Sequence, residues 1–142
     1  MRTVKEILDV KGNQVWSIDM NAYVFDAIKL MAEKEVGALA VTDGDRLAGI
    51  ISERDYTRKV ILEGRTSKQA KVVEIMTTGV ITVRGDQTIK ECMTLVTERR
   101  VRHLPVLDGK RMVGMLSIGD LVKAVIAHQL FTIEQLEGYI RG

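Results

Sequence analysis

The sequence is poor in the residues that usually signal reactive or metal-binding chemistry. It contains one cysteine, one proline, two histidines and an aromatic content of 4% in 142 residues. A lone cysteine excludes an internal disulfide framework and a multi-cysteine zinc site, which predicts a reduced, cytoplasmic protein. Because Cys92 and the two histidines do not cluster in the sequence, we also predict no metal site.

Long hydrophobic runs are missing as well. The longest apolar runs fall far short of the ~18 residues that a membrane helix needs, although 46% of the residues are hydrophobic and can build a core. Met1–Thr3 is not followed by the apolar segment of a secretion signal. We therefore expect no association with a membrane.

The charge balance is only mildly basic, with a net charge of +2 and a pI near 8.7. Proteins that bind nucleic acid usually carry a dense basic face with aromatic partners, so the composition argues against nucleic acid as a partner. One alternative stays open: a nucleic-acid-binding regulator that uses Lys68, Lys71 and the arginines of 98–103. Its mark would be salt-dependent DNA binding.

What the sequence does contain is an internal repeat. A shift of 65 residues places 15–61 on 80–126 without a gap, and 14 of the 47 aligned pairs are identical. Repetition at a fixed offset indicates that one structural unit occurs twice. We place the first copy, with an N-terminal helix, at 1–66 and the second copy, with a C-terminal helix, at 67–142.

Each copy begins with a predicted strand and a predicted helix. The segments VWSI (15–18) and VITV (80–83) are rich in β-branched residues, which predicts short strands. Apolar residues then recur at helical spacing. Asn21 and Asp86 stand where the N-caps of these two helices are expected.

Two strands and a second helix complete each copy. The strands are joined by a tight turn at Asp43-Gly44 in the first copy and Asp108-Gly109 in the second. The second helix is expected to start at Ser52 or Ser117. The element order is therefore β-α-β-β-α, twice.

The predicted fold class is α+β. Each copy has a small sheet with one apolar face that it cannot bury alone, so the two copies are expected to pack sheet to sheet about a pseudo-twofold axis. Short N- and C-terminal helices flank the repeats. For the C-terminal helix, Thr132 is the expected N-cap and Gln135 completes a capping box.

The most regular feature of the repeat is a heptapeptide, GIISERD (49–55), which returns as GMLSIGD (114–120). Its serine and aspartate can form a capping box at the start of a helix, which needs no ligand. The same corner could also hold a nucleotide, since free N–H groups at a helix start attract phosphate and a carboxylate can accept ribose hydroxyls. The residues leave both interpretations open.

The duplicated unit, ending in Gly-apolar-apolar-Ser-x-x-Asp, resembles a CBS domain pair, also called a Bateman module. The resemblance covers about residues 4–128 and is strongest to stand-alone bacterial proteins of this type. It implies two sites for adenosine nucleotides in clefts between the two halves. Each site would take its Ser/Asp corner from one repeat and its adenine-facing strands from the other.

The resemblance also implies which residues bind the nucleotide. The first site would combine Ser52, Arg54 and Asp55 with Thr82, Arg102, His103 and Pro105. The second site would combine Ser117 and Asp120 with Ser17, Gly37, Ala38 and Ala40. In both sites the aspartate would hold the ribose hydroxyls, the serine would face the phosphate, and the strand residues would form a slot for adenine.

The two sites are expected to differ in charge. Arg102-His103 aligns with Gly37-Ala38, and Arg54 aligns with Gly119. Charge-assisted bonds from arginine to phosphate are stronger than neutral ones, so we expect the Asp55 site to bind a phosphate-bearing nucleotide better. The Asp120 site has Ala40 where the other strand has proline, which puts its occupancy in question.

The function implied by the resemblance is non-catalytic sensing of AMP, ADP, ATP or NAD(H); S-adenosylmethionine shares the adenosine without the phosphate. The protein would be a homodimer that passes a ligand-dependent rearrangement to a protein target. An enzyme acting on the nucleotide, with Asp55 or His103 as base, is the other alternative. The sequence offers it no activated nucleophile, P-loop or GxGxxG motif.

Overall fold

The computed structural model describes residues 2–141, so the outermost residues of the predicted domain ranges, 1 and 142, lie outside it. It confirms an α+β fold with two tandem repeats, each with a small sheet and helices. The elements follow in the order α1 (Val4–Lys11), β1 (Ser17–Asp19), α2 (Val24–Lys34), β2 (Ala38–Asp43), β3 (Arg46–Ser52), α3 (Glu53–Tyr56), α4 (Val72–Ile75), α5 (Ile89–Arg99), β4 (His103–Asp108), β5 (Arg111–Ser117) and α6 (Ile118–Arg141). Helix α3 continues as a π-helical segment, Thr57–Ile61.

The chain forms two compact units that do not coincide with the two halves of the sequence. The first unit contains 14–81 together with 109–112. The second unit contains 82–108 and the described residues of 1–13 and 113–142. Helix α1 is therefore grouped with the second repeat, although it precedes the first repeat in the sequence.

The sheet of the first unit has three strands in the order β1-β2-β3. Strand β1 runs parallel to β2, with Ser17 opposite Ala40, and β2 runs antiparallel to β3, with Ala38 opposite Ser52. The predicted tight turn between β2 and β3 is present, and Gly44 adopts a φ of 61° there, which favours glycine.

The sheet of the second unit has only two strands, β4 and β5. The strand predicted at 80–83 is wrong except for Val83, which forms an isolated parallel bridge with Val106. The Val83 N–H donates to the Pro105 carbonyl at 3.0 Å, and the Val83 carbonyl accepts from the Leu107 N–H at 2.9 Å. The backbone then turns away, since the Arg84 N–H donates to the Gln87 side chain.

The N-caps predicted at Asn21 and Asp86 are wrong, because both helices begin later. Tyr23 precedes α2 and makes no side-chain cap, while the N–H groups of Val24 and Phe25 donate to carbonyls of the 63–71 connector. Thr88 caps α5, and its hydroxyl accepts from the Glu91 N–H at 3.2 Å. At α2, backbone carbonyls that are distant in sequence thus satisfy amides that the prediction assigned to a local side chain.

The C-terminal helix does not begin at Thr132. It is the continuation of α6, which is helical from Ile118 to Arg141, and the Thr132 hydroxyl donates to the His128 carbonyl within it. No glycine or proline lies between Gly119 and Gly138 to interrupt the helix. Within residues 2–141 no helix, α6 included, is long and apolar enough to cross a membrane.

The apolar faces predicted from the helical spacing are buried. In the first unit the core is formed by Val24, Ala27, Met31, Leu39, Val41, Ile51, Val60, Ala70, Val72 and Ile75. In the second unit Cys92 is fully buried together with Leu104, Leu116 and Leu121. Burial raises the pKa of the Cys92 thiol to about 11, so it is a core residue and is not activated as a nucleophile.

The glycine of each heptapeptide lies where another segment of the same unit presses on the strand. A Cβ on Gly49 would lie 2.6 Å from the carbonyl oxygen of Thr77, and one on Gly114 would lie 2.7 Å from the end of the Leu8 side chain. A main-chain oxygen cannot move aside as the end of a side chain can. A side chain at position 49 would therefore be tolerated less well than one at position 114. Close packing therefore requires glycine at position 49, whereas at position 114 the Leu8 side chain could shift.

We expect Gly49→Ala to lower the free energy of unfolding by about 1–3 kcal/mol, because the added methyl group overlaps a backbone oxygen. The measurement is urea unfolding of the wild type and the variant. Gly37→Ala is the control, because the nearest atom to its added Cβ is 3.8 Å away. Equal stability of the Gly49 and Gly37 variants would contradict the packing role.

Candidate functional site

The first corner, Ser52 to Asp55, joins the end of β3 to the start of α3. The Ser52 hydroxyl accepts from the Asp55 N–H at 3.1 Å, and the Asp55 carboxylate accepts from the Ser52 N–H at 3.0 Å. These reciprocal bonds form a capping box. The interpretation of the heptapeptide as a helix cap is therefore confirmed at this corner.

The second oxygen of the Asp55 carboxylate, Oδ1, is also engaged. It accepts from the Thr77 hydroxyl at 3.3 Å and lies 3.2 Å from the Lys59 ammonium. Lys59 in turn donates to the Ile75 carbonyl at 3.0 Å. With a side chain only 12% exposed, Asp55 is a sheltered carboxylate whose charge is balanced by one lysine.

The second corner, Ser117 to Asp120, repeats the reciprocal bonds at the start of α6. The Ser117 N–H donates to Asp120 Oδ2 at 2.8 Å, and the Asp120 N–H donates to the Ser117 hydroxyl at 3.1 Å. The Lys11 ammonium, from α1, lies 2.6 Å from the same oxygen and also donates to the Met115 carbonyl. Within residues 2–141, all hydrogen bonds of the Asp120 side chain fall on Oδ2.

The ionisable groups near the second corner influence one another. Burial acts to raise the pKa of Asp120, but hydrogen bonds from Lys11 and Ser117 and the charge of Lys11 outweigh it and lower the pKa. Burial lowers the pKa of His103, and the positive charges of Lys11 and Arg102 lower it further. At neutral pH the corner therefore holds an ionised carboxylate and a neutral imidazole.

The strand residues predicted for the two sites fall into different units. Ser17, Gly37, Ala38 and Ala40 share the first unit with Ser52, and the Gly37 carbonyl accepts from the Glu53 N–H at 3.0 Å. Thr82, Arg102, His103 and Pro105 share the second unit with Ser117, and the Arg102 carbonyl accepts from the Ile118 N–H at 2.9 Å. The combination of a corner with the strands of the other repeat stays a prediction.

The cationic side chains singled out in the sequence differ in the contacts that they make. Arg54 is exposed beside Asp55 and makes no ion pair within the part of the chain that the structure describes. Lys68 lies over the Phe25 ring, 5.4 Å from its centre.

Among the described residues there is no group of three or more histidine, cysteine, aspartate or glutamate side chains that could hold a metal ion.

Three residues of these corners were missed by the sequence analysis. Lys59 could have been found, because it stands four residues after Asp55, the spacing of an ion pair on a helix. Thr77 and Lys11 carried no comparable signal. Lys11 is separated from Asp120 by 109 residues and reaches it only because α1 belongs to the second unit.

We expect Lys11→Met to raise the pKa of Asp120, since the burial of this carboxyl group is then no longer opposed by the ammonium. A lowered pKa means that Asp120 stabilises the fold above its ordinary value of 3.8, and that this stabilisation is lost as the pH falls through the lowered pKa. The variant should therefore lose about 1 kcal/mol at pH 7 and less at pH 2. Carboxyl-carbon NMR titration and urea unfolding measure both effects.

Lys5→Met provides the control, because Lys5 is an exposed residue of the same helix and makes no ion pair among the described residues. An unchanged Asp120 pKa in the Lys11 variant would show that the ion pair does not exist in solution.

The chain is similar to proteins that contain CBS domains. The family model described as CBS domain matches twice, at residues 4–61 and 72–127. The chain is 41% identical over 150 residues to the CBS domain-containing protein CBSX3, mitochondrial, of Arabidopsis thaliana, covering 99% of this chain and 72% of that protein. The name of that relative places the relative in mitochondria; the cytoplasmic location of this chain stays a prediction.

Two solved structures show the same architecture. A protein with CBS domains from Burkholderia ambifaria is 55% identical, has a TM-score of 0.86, and is matched over 89% of this chain and 96% of its own. The CBS domain pair of protein MJ0100, solved with 5-methylthioadenosine and S-adenosyl-L-methionine, is 23% identical with a TM-score of 0.78 over 90% of this chain and 98% of its own. At that identity the second structure shows the fold alone. With both repeats matched and both Ser/Asp corners in place, this chain belongs to the CBS domain family, as a tandem pair.

Proposed function

We propose that this chain is a non-catalytic sensor of adenosine nucleotides, with AMP, ADP, ATP or NAD(H) as ligand. The observation that carries the proposal is the pair of strand-to-helix corners. Each one presents a sheltered aspartate that is hydrogen-bonded to a serine and lies within 3.2 Å of a lysine ammonium. That a CBS pair of the same fold was solved with two adenosine compounds supports adenosine as the shared part of the ligand.

The corner chemistry suits a ribose. A carboxylate can accept both hydroxyl hydrogens of the sugar, and Asp120 has its Oδ1 free of protein hydrogen bonds within residues 2–141. At the first corner a ribose hydroxyl would replace the Thr77 hydroxyl on Asp55 Oδ1, which is the longest of the bonds that this carboxylate accepts, at 3.3 Å. At the first corner binding would exchange the Thr77 bond for a ribose bond, at the second it would add a bond to the free oxygen, and in both the capping box would stay intact.

We further propose that the first corner is the one that prefers a phosphate. Arg54 is exposed and free of ion pairs among the described residues, so its guanidinium is available to an anion. The equivalent position in the second corner is Gly119, and the nearby Lys11 ammonium is already paired with Asp120. The predicted contacts from the strands, including His103 and Pro105, stay predictions.

The sensing step requires a ligand that binds two arrangements of the protein with different affinity. We propose that the protein works as a homodimer, that nucleotide binding rearranges the dimer, and that a protein target detects the change. Nothing in this scheme needs catalysis. The buried, unreactive Cys92 and the structural role of Asp55 as a cap are consistent with a binding protein.

The phosphate preference can be tested by exchanging the residues at the equivalent positions. We expect Arg54→Ala to weaken AMP binding at least about tenfold, since a charge-assisted hydrogen bond contributes roughly 1.5–3 kcal/mol, and to leave adenosine binding unchanged. Gly119→Arg should strengthen AMP binding at the second corner, where an added Cβ would meet nothing closer than 3.5 Å. Isothermal titration calorimetry measures both affinities.

Arg58→Ala is the matched control, because Arg58 is an exposed arginine one turn further along the same helical segment. Equal AMP binding by the wild type and the Arg54 variant would disprove a phosphate contact at this position.

The ribose contact is tested separately at the two aspartates. Asp55→Asn and Asp120→Asn each keep an oxygen that can accept the serine N–H, so the caps can persist while the carboxylate charge is lost. We expect both variants to bind adenosine more weakly, and Asp55→Asn to lose more of the AMP affinity. Equal losses of AMP affinity would refute the asymmetry, and conversion of ATP or NAD to a product by the wild type would favour the enzyme alternative.

A further inference from the structure

The second half of α6 is an apolar helix without cover. Leu121 and Ala124 are buried in the second unit, whereas every residue from Ile126 to Ile140 is exposed. The helix has 24 residues, about 36 Å at 1.5 Å per residue. More than half of its length therefore makes no core contact within the described residues.

Most of the large exposed apolar side chains lie along one side of the helix, and Phe131 and Tyr139 lie outside this stripe. Ile126, Ile133 and Ile140 recur at intervals of seven residues, and Val122 and Leu136 occupy the second position of the same repeat. Their exposure ranges from 41% for Val122 to 82% for Ile140. We call the stripe formed by Val122, Ile126, Gln129, Leu130, Ile133, Leu136 and Ile140 the α6 seam.

A seven-residue repeat of this kind is the pattern by which one helix packs along another. Ile126, Ile133 and Ile140 at the first core position, with Val122, Gln129 and Leu136 at the second, form a mostly apolar stripe that can pack along another helix. An isolated helix of about four turns is marginal in water and needs packing to persist. The regular 3.5-residue spacing thus points to a second helix as the cover, since a flat surface or an irregular loop would not require it.

We propose that the α6 seam pairs with the α6 seam of a second copy of this chain, with the two helices antiparallel. Because a twofold interface is self-complementary, one stripe serves both subunits. Ile126 would face Leu136 of the partner subunit, and Ile140 would face Val122 of the partner subunit. Leu130 would meet Leu130 of the partner subunit close to the twofold axis.

Charge decides between the two directions of pairing. In the antiparallel arrangement Lys123, exposed beside the seam near its start, lies opposite Glu137 of the partner subunit, and the twofold axis repeats this pair. A parallel arrangement would place Glu137 beside Thr132 of the partner subunit and Gln129 against its own copy. Only the antiparallel arrangement joins opposite charges at both ends of the seam.

This inference rests on the homodimer of the proposed function and assigns the interface of that dimer to the α6 seam. Analytical ultracentrifugation should show the wild type at twice its 15.9 kDa mass, Ile133→Glu as a monomer, and Phe131→Glu as a dimer. Phe131 is the matched control, since it is a large exposed residue of the same helix, 57% exposed, on the side away from the seam. A monomeric wild type, or a dimeric Ile133 variant, would overturn the proposal.

The direction of pairing is tested by disulfide formation. Leu130→Cys should cross-link rapidly between antiparallel helices, and Ile133→Cys slowly; the reverse order would overturn the antiparallel arrangement. The native Cys92 can stay in place, because it is fully buried.

The same variants keep the two proposals separable. AMP binding is measured by calorimetry on Ile133→Glu, whose substitution lies far along α6 from the corner at Ser117. We expect its AMP affinity to stay within about threefold of the wild type, which corresponds to roughly 0.65 kcal/mol. Loss of the dimer with retained binding supports the seam as the interface. If the wild type does not bind AMP, the nucleotide-sensor proposal is refuted, and the measured oligomeric state still tests the α6 seam.

Discussion

The reciprocal hydrogen bonds between a serine and the aspartate three residues later hold the strand-to-helix corners on which both units depend. At each corner the chain changes from extended to helical within one residue, which exposes amides that have no partner in either element. The aspartate carboxylate satisfies the serine N–H and the serine hydroxyl satisfies the aspartate N–H. The positions of β3 and α3, and of β5 and α6, follow from these four bonds.

The same carboxylates are the candidate ligand groups, so the two interpretations of the heptapeptide are compatible. Cap bonds occupy one oxygen of each aspartate, and a lysine balances the charge in both corners. A sugar hydroxyl that arrives at Asp120 finds an oxygen free of bonds to the described residues, while one at Asp55 must displace a threonine hydroxyl. Under the proposed function, a ligand would compete with a protein contact at Asp55 only, the 3.3 Å bond from Thr77.

The two copies of the repeat have diverged in structure as well as in sequence. The first unit has a three-stranded sheet and a short α3 that continues as a π-helical segment; the second has a two-stranded sheet and the long α6. The lysine that pairs with the corner aspartate comes from the same helical segment in the first unit and from α1 in the second. Equivalent corners thus carry different cationic surroundings, the physical basis for expecting unequal ligand preferences.

The sequence by itself determined the repeat, which is visible as identities at a fixed offset of 65 residues. It also determined the α+β class, most of the strands and helices, and both capping boxes, because these depend on residues within a few positions of one another. The start of α2 and the extent of the C-terminal helix could not be read locally, because the first amides of α2 donate to carbonyls of the 63–71 connector and α6 runs on with no glycine or proline to interrupt it. For α5 the N-cap is a local residue, but it is Thr88 and not Asp86.

Only the tertiary structure decided what surrounds the two aspartates. Three features are long-range outcomes of chain packing: the ion pair between Lys11 and Asp120, which are 109 positions apart, the close approach of Thr77 to Gly49, and the grouping of α1 with the second repeat. Local sequence determines which backbone N–H and C=O groups lack a hydrogen-bond partner within their own helix or strand, and each such group needs a partner when buried. Packing fixes which distant groups satisfy them, and so sets the charge and the accessibility of the site.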